Sequence, residues 1–394
     1  MMPALVLDGH LKSALTTVRS LGRAGVSVVC ASERHTALAC HSKFVKESFV
    51  YTSPKVNQKL FVEEIIVRAK EIFEKTKTKS VIYCFSDATA LSLSSAYERL
   101  LEYAVLPLPS ADSVETASDK FRTYVLADEL SLPTIKTYEE SEFNTVTYPA
   151  VVKNRHSIVW KDGQSISGSA QFVFSREELQ ETYRKVSIET GESPLVQEFI
   201  EGTEYGVEML CTKGTVLALF THKRIRSLSP LGGAAVVKET AENSVEVALM
   251  KIYGRDLIQQ LKWTGPVMVE FKIDQRDNSV KLMEINGRFW GSLPLAVKSG
   301  IDFPLMYHKL AQGEVAENSK DVQPRHLRTR HLLGDVKWLL SVFFDTTLLR
   351  KRLYPSRIQA MWDFTTEVFK SSGDIFDIHD LKPSMYEYID ILKK

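Results

Sequence analysis

Apolar and polar positions alternate in blocks that read as secondary structure from the first residues onward. Ala4 to Asp8 is an apolar run ending at Gly9-His10, which predicts a buried strand and a turn. Leu11, Leu15, Val18 and Leu21 recur at helical spacing, and Gly22 and Gly25 close a helix expected over Leu11 to Ala24. Val26 to Ala31 is a second buried strand. Strand, helix and strand in that order predict a parallel sheet. A helix from about Val56 to Lys75 precedes another strand, Ser80 to Phe85, ending at Ser86-Asp87. Ligands of open α/β sheets lie beyond the carboxyl ends of strands, so Gly9, His10, Ser86 and Asp87 are pocket candidates. Asp87 fits equally well as the N-cap of a helix starting at Ala88-Thr89.

Further along, Ala111 to Leu130 reads as helical with a short break. Tyr148 to Lys153 is an apolar strand ending in a lysine, a residue that buried strands rarely tolerate without an anionic partner. Asn154 to Ala170 carries Gly163 and Gly168 with Ser165, Ser167 and Ser169. Such a loop can fold backbone N–H groups over a phosphate. A plain hairpin around Asp162-Gly163 fits the same residues. Leu195, Gln197 and Phe199 alternate with Val196, Glu198 and Ile200, which predicts a strand turning at Glu201-Gly202. After the apolar Val216 to Leu219 come His222-Lys223-Arg224-Ile225-Arg226 and Pro230 to Ala234. Cations beside a glycine pair suit a loop closing over an anion, with Arg224 first and Arg226 second as clamp; a solvated charged face is the plainer alternative. Glu208 can hold a cation, meet an amine or balance the charge of Lys223.

Val267 to Leu295 holds the densest candidate chemistry. Glu270, Lys272 and Asp274 share one strand face, Gln275 to Ser279 is a turn, and Leu282, Glu284 and Asn286 share a face of the returning strand. Glu270, Glu284 and Asn286 thereby offer three oxygen donors, which suit a hard cation such as Mg2+. Arg288 follows and can pair bidentately with a phosphate or carboxylate. A solvated surface hairpin accounts for the same charges.

Composition narrows the picture. The 394 residues allow two or three domains, and 44% hydrophobic with 25% charged residues is ordinary for a globular protein. A net charge of +1 gives no general attraction to nucleic acid or anionic membrane. Cys30, Cys40, Cys84 and Cys211 are dispersed without metal spacing, as expected of reduced thiols in a cytosolic protein. No signal peptide is apparent, and the apolar Trp338 to Phe344 is too short to span a bilayer. Gly9 stands alone, so the dinucleotide fingerprint is missing; no P-loop and no Gly-x-Ser-x-Gly elbow occur.

Glu270 followed by Glu284-Ile285-Asn286-Gly287-Arg288 resembles the metal-binding end of the ATP-grasp ligases. The resemblance spans roughly residues 4 to 310 and is nearest to carboxylate–amine ligases related to carbamoyl-phosphate synthase and D-alanine–D-alanine ligase. It implies an α/β chain: a Rossmann-like domain over 1–110, an ATP-grasp domain of α+β character over 111–312 with a lid at about 134–203, and a mainly helical extension over 313–394. It also implies that Lys120, after Ser118-Asp119, and Lys153 contact ATP phosphates. The backbone of Glu198, Phe199 and Ile200 would read adenine, and Glu204 the ribose hydroxyls. Glu270, Glu284 and Asn286 would hold Mg2+, with Mn2+ as a substitute, and Arg288 or Arg224 would clamp the carboxylate or stabilise an oxyanion. The implied partners are a small-molecule carboxylate and an amine. A kinase, a thiol ligase or a non-catalytic ATP-binding module of the same fold are the alternatives. The extension carries a basic Pro324 to Arg330, an apolar Asp335 to Leu349 suited to core, a homodimer contact or membrane-surface docking, the cations Arg350 to Arg352 and Arg357, and a turn-rich Asp374 to Pro383 expected to pack back on the body.

Overall fold

The computed structural model describes residues 1–394 except 162, 167, 169, 230–231, 315–322, 345–354 and 393–394. Ser167, Ser169, Asp162, Pro230, Leu231 and Arg350 to Arg352, together with the end of the expected Asp335 to Leu349 segment, therefore lie outside the described residues.

The first sheet is parallel and ordered β3-β2-β1-β4-β5. Its strands are β1 (Ala4–Val6), β2 (Val28–Ser32), β3 (Val45–Val50), β4 (Ser80–Tyr83) and β5 (Ala104–Val105). The helices Lys12–Arg23 and Gln58–Thr76 supply the crossovers that parallel pairing requires. Asp8 ties the carboxyl ends of β1 and β4 together. Its buried carboxylate accepts from Phe85 N (2.9 Å), Ser86 N (3.0 Å) and Thr89 Oγ1 (2.7 Å).

The second sheet is antiparallel, ordered β10-β7-β11-β6, from β6 (Thr137–Tyr138), β7 (Ala150–Lys153), β10 (Gln171–Val173) and β11 (Leu195–Glu198). Between β7 and β10, β8 (Val159–Lys161) and β9 (Gln164–Ile166) pair as a hairpin around Gly163. This hairpin leans on the segment after β3 through Ser165 N to Lys55 O (2.8 Å) and Trp160 Nε1 to Pro54 O (3.3 Å).

The third sheet has seven strands in the order β16-β15-β12-β13-β14-β17-β18. They are β12 (Gly202–Thr212), β13 (Thr215–Ser229), β14 (Gly232–Thr240), β15 (Gly265–Asp274), β16 (Val280–Asn286), β17 (Arg328–Arg330) and β18 (Ser372–Gly373). One expectation is corrected here. The cationic run His222 to Arg226 is a rigid part of β13 rather than a loop, because β14 pairs with it across Arg224–Lys238. Past the site strands come two helices, Leu293–Lys298 and Phe303–Ala311, separated at Gly300 with φ of +105°. The extension, expected to be mainly helical, has the helices Leu332–Phe344, Arg357–Lys370 and Lys382–Leu392 and also contributes the short β17 and β18 to this sheet.

One apolar core runs through the first and third sheets, joining Val6, Tyr83 and Phe85 to Phe220, Phe289, Trp290 and Tyr307. Asp374 to Pro383 does pack back on the body, where Asp374, Asp377 and Asp380 pair with Lys12, Arg23 and Arg19. No helix among the described residues is long and apolar enough to cross a membrane.

Candidate active site

The site is built on β15 and β16. Glu270 sits opposite Glu284, but the next pair is Phe271 with Leu282, so Met283 is an extra residue, a β-bulge. The bulge lets Val280, Leu282 and Ile285 all enter the core beside Val269 and Phe271, while Glu284 and Asn286 face a cavity. Uniform alternation had placed Leu282 on the face of Glu284 and Asn286; the extra residue turns it inward. Asn286 Nδ2 donates to Glu270 Oε1 at 3.1 Å and to Glu284 Oε1 at 3.3 Å, so the three donor groups converge. Arg288 Nη2 donates to Asn286 Oδ1 (3.1 Å), and Asp87 clasps the same guanidinium bidentately at 2.9 and 3.0 Å. Asp87 is not the N-cap of its helix. Ser86 holds that place, accepting from Thr89 N at 3.2 Å, which leaves the Asp87 carboxylate for Arg288.

Two lysines face the acids. Lys120 Nζ lies 3.7 Å from Glu284 Oε2 and donates to Ser157 Oγ (3.2 Å). It opens the helix Lys120–Glu129, whose N-cap Asp119 accepts from Phe121 N and also grips Arg155. Lys153 ends β7. Its expected anionic partner is not in contact: among the described residues it forms no ion pair, burial holds its ammonium below the usual range, and Glu284 works against that from a distance. Burial works to raise the Glu284 carboxyl, but Lys120 and Lys153 outweigh it and hold that carboxyl low. Burial pushes Glu270 up to about 7; Arg224 opposes the rise, and Glu284 and Glu204 add to it.

Arg224 bridges two acids, bonding Glu204 Oε2 through Nη1 and Glu270 Oε2 through Nη2 at 3.2 Å. Arg226, expected as a second clamp, faces away. It pairs with Asp335 at 2.6 Å and lies over the Trp338 ring at 4.1 Å, because register shifts in β13 on either side of it turn it toward the extension. Glu204 also has Lys272 Nζ at 3.5 Å, and Glu198 pairs with Arg276 and Lys281. Phe199 meets the Phe172 ring edge-on with centroids 5.8 Å apart. Apart from Arg226, every residue singled out for ATP, metal or clamp, from Lys120 and Lys153 through Glu198, Phe199, Ile200 and Glu204 to Arg288, lines one cavity of about 450 Å³.

The sequence reading missed a buried cluster on its wall. Glu208 is fully buried, accepts from Ser292 Oγ, and has its Oε1 2.8 Å from His222 Nδ1. Lys223, which it was to balance, pairs with Glu239 instead. His222 stands opposite Gly206 in the β12–β13 register, and a Cβ at 206 would come within 2.4 Å of its ring. That glycine in the interior of a strand was the one available sign of a close approach.

The donor set fits a hard divalent cation: two carboxylates and the Asn286 amide meet beside two lysines suited to phosphates, and a flip of that amide exchanges its N–H2 for its oxygen on the acids' side. Glu270, Glu284 and Asn286 would hold the ion.

A family model described as ATP-grasp in the biosynthetic pathway with Ter operon matches residues 191–332. The carbamoyl phosphate synthase large chain of Clostridium acetobutylicum is 25% identical over 247 residues, covering 61% of this chain and 22% of that protein. Its counterpart in Vibrio vulnificus is 25% identical over 287 residues, 67% of this chain and 26% of that one. The chain thus spans only a fraction of the curated relatives it matches. Among solved structures, biotin carboxylase from Campylobacter jejuni with β-γ-ATP superposes with a TM-score of 0.66 at 14% identity, over 83% of this chain and 75% of that one. N5-carboxyaminoimidazole synthetase from Staphylococcus aureus gives 0.63 at 15% identity, over 87% and 86%. The chain thus shares the α/β fold of these ligases, and residues 191–332 carry the match to the ATP-grasp family model.

Proposed function

We propose that the protein is an ATP- and Mg2+-dependent carboxylate–amine ligase that forms an acyl phosphate and releases ADP and phosphate. The observation that carries this reading is the convergence of Glu270, Glu284 and Asn286 opposite Lys120 and Lys153 in a single cavity. On this reading residues 111–312 hold ATP, while 1–110 and 313–394 shape the acceptor side. Lys120 and Lys153 bind the phosphates. The Glu198 to Ile200 backbone reads adenine and Glu204 takes the ribose hydroxyls, for which its carboxylate must exchange partners with Arg224 and Lys272. A metal ion, when bound, supplies charge neutralisation on the phosphates. Arg288, fixed by Asp87 and Asn286, presents its guanidinium to the substrate carboxylate or to the developing oxyanion. Arg224 is placed as a second clamp once released from Glu270. His222, with Nδ1 facing Glu208, has Nε2 available to take the proton that the amine loses on attack. A cytosolic setting agrees with the four free cysteines.

The test is nucleotide release from ATP and Mg2+ with pooled carboxylates and amines. ADP with phosphate, dependent on both pools and reduced about 100-fold or more by Glu284→Ala, is the expected result. AMP with pyrophosphate would exclude the acyl phosphate, ADP without free phosphate would indicate a kinase, and metal-dependent ATP binding without turnover would indicate a regulatory module.

A further inference from the structure

Behind the ATP cavity lies a second chamber of about 310 Å³, and the two share Lys12, Ala234 and Ala235 in their walls. Three parts of the chain build it. His10, Leu11 and Leu38 come from the carboxyl ends of β1 and β2, Leu228 and Val236 from the β13–β14 hairpin, and Leu333, Ile375 and Tyr386 from the extension. Its walls are largely aliphatic. Glu387, the one carboxylate among the described lining residues, is already taken by His331 at 2.7 Å. Cationic groups are left at the junction. Lys12 and Lys238 both bond the same oxygen of buried Asp374 at 2.6 Å, so two ammonium groups share one carboxylate. Among the described residues, the Lys12 ammonium has Asp374 as its one acceptor, and two of its three N–H groups remain for a ligand.

An apolar chamber with one cationic donor, Lys12, at the doorway to a phosphate site suits one kind of occupant. We propose that it receives the hydrocarbon body of the substrate acid, whose carboxylate pairs with Lys12 and faces the ATP cavity. The assignment rests on the ligase reading for its purpose, but binding can be read without turnover. It makes the substrate a monocarboxylic acid with an apolar chain or ring, and it makes the extension a part of the specificity pocket. A small polar acid would leave the aliphatic walls wet, and a free amine would meet Lys12 with like charge.

The full chain is titrated calorimetrically, without ATP, with straight-chain monocarboxylates from propionate to octanoate, and with hexanamide as the neutral counterpart of hexanoate. Affinity is expected to rise about fourfold per methylene until the chamber is full. Hexanamide is expected to bind about tenfold or more weaker. Leu333→Trp, which fills the chamber from the helix Leu332–Phe344 and lies outside the ATP cavity, is expected to remove the chain-length dependence while MgADP binding stays unchanged. Lys12→Gln is expected to equalise hexanoate and hexanamide; should that variant fail to fold, Leu333→Trp carries the test alone. A flat chain-length series, equal binding of acid and amide, or an unchanged series in Leu333→Trp overturns the assignment. Chain-length-dependent binding that never leads to ADP release with any amine upholds the chamber and sinks the ligase reading. ADP release with small polar acids alone does the reverse.

Discussion

At the scale of single residues, the site depends on groups that hold other groups still. Among the described residues Arg288 has one charged partner, Asp87, which grips it bidentately from just beyond β4. Replacing that carboxylate with an amide leaves Arg288 only the Asn286 oxygen and the Phe289 carbonyl. Asp87→Asn is therefore expected to lower kcat about tenfold or more with little change in the KM for ATP, since Asp87 is outside the nucleotide cavity. A purely structural loss would lower the melting temperature and both constants together. His222 offers a sharper reading. His222→Gln keeps a hydrogen-bonding side chain beside Glu208 but removes the basic nitrogen. The expected outcome is a fall in kcat of about 100-fold at neutral pH, recovering as pH rises and the amine deprotonates in solution. An unchanged pH profile would remove His222 from the mechanism. The acids, the two lysines and Arg288 were legible in the sequence because motif spacing names them. His222 was not: it lay inside a charge run, and its meaning depends on Glu208 and Ser292, far apart in sequence but adjacent in the sheet.

At the scale of elements, backbone irregularity decides what faces the cavity. Period-two alternation located β15 and β16 but mis-assigned Leu282, because a bulge is set by which pairing lets the most apolar side chains reach the core. The same cause hid the true role of Arg226, whose turn away from the site follows register shifts in β13. Strands as short as β17 and β18 carry no periodic signal at all, so an extension read as helical completes the large sheet. Charge density likewise concealed a strand: His222 to Arg226 reads as a loop until β14 is seen pairing with it. Backbone crowding makes one element testable. Gly202 opens β12 opposite Asp274, and a Cβ there would meet the Ile273 carbonyl oxygen at 1.8 Å. A carbonyl in a paired strand has no room to retreat. Gly202→Ala is expected to cost about 1–3 kcal/mol, seen as a lower denaturation midpoint with an unchanged slope against denaturant. A neutral substitution would mean that the β12–β15 pairing at this end yields freely.

At the scale of the whole molecule, the extension acts as a strap around an aspartate. Asp374 follows β18, yet its carboxylate is buried between Lys12 of the first helix and Lys238 of β14. Three distant parts of the chain thus share one charge, and the apolar chamber lies against the same junction, with Lys12 and Ile375 in its wall. Burial alone would raise the Asp374 carboxyl, but Lys12 and Lys238 outweigh it and hold the group well below the ordinary carboxylate range. The linkage follows from that depression. In the unfolded chain the group titrates near its ordinary value of about 3.9. The folded state binds its proton only at lower pH, so the stabilisation is complete above that value and is lost as pH falls through the folded one. Asp374→Asn removes the anion and leaves two lysines facing each other in a dry site. It is expected to cost about 3–5 kcal/mol at neutral pH, as for other broken buried pairs. It is also expected to flatten the loss of stability between about pH 4 and pH 2, because one strongly shifted carboxylate no longer titrates there. Urea midpoints measured across that range for both proteins check the two outcomes together. A variant as stable as the parent at neutral pH, with the same acid limb, would show that the strap is held by the neighbouring pairs of Arg19 with Asp380 and Arg23 with Asp377 rather than by Asp374.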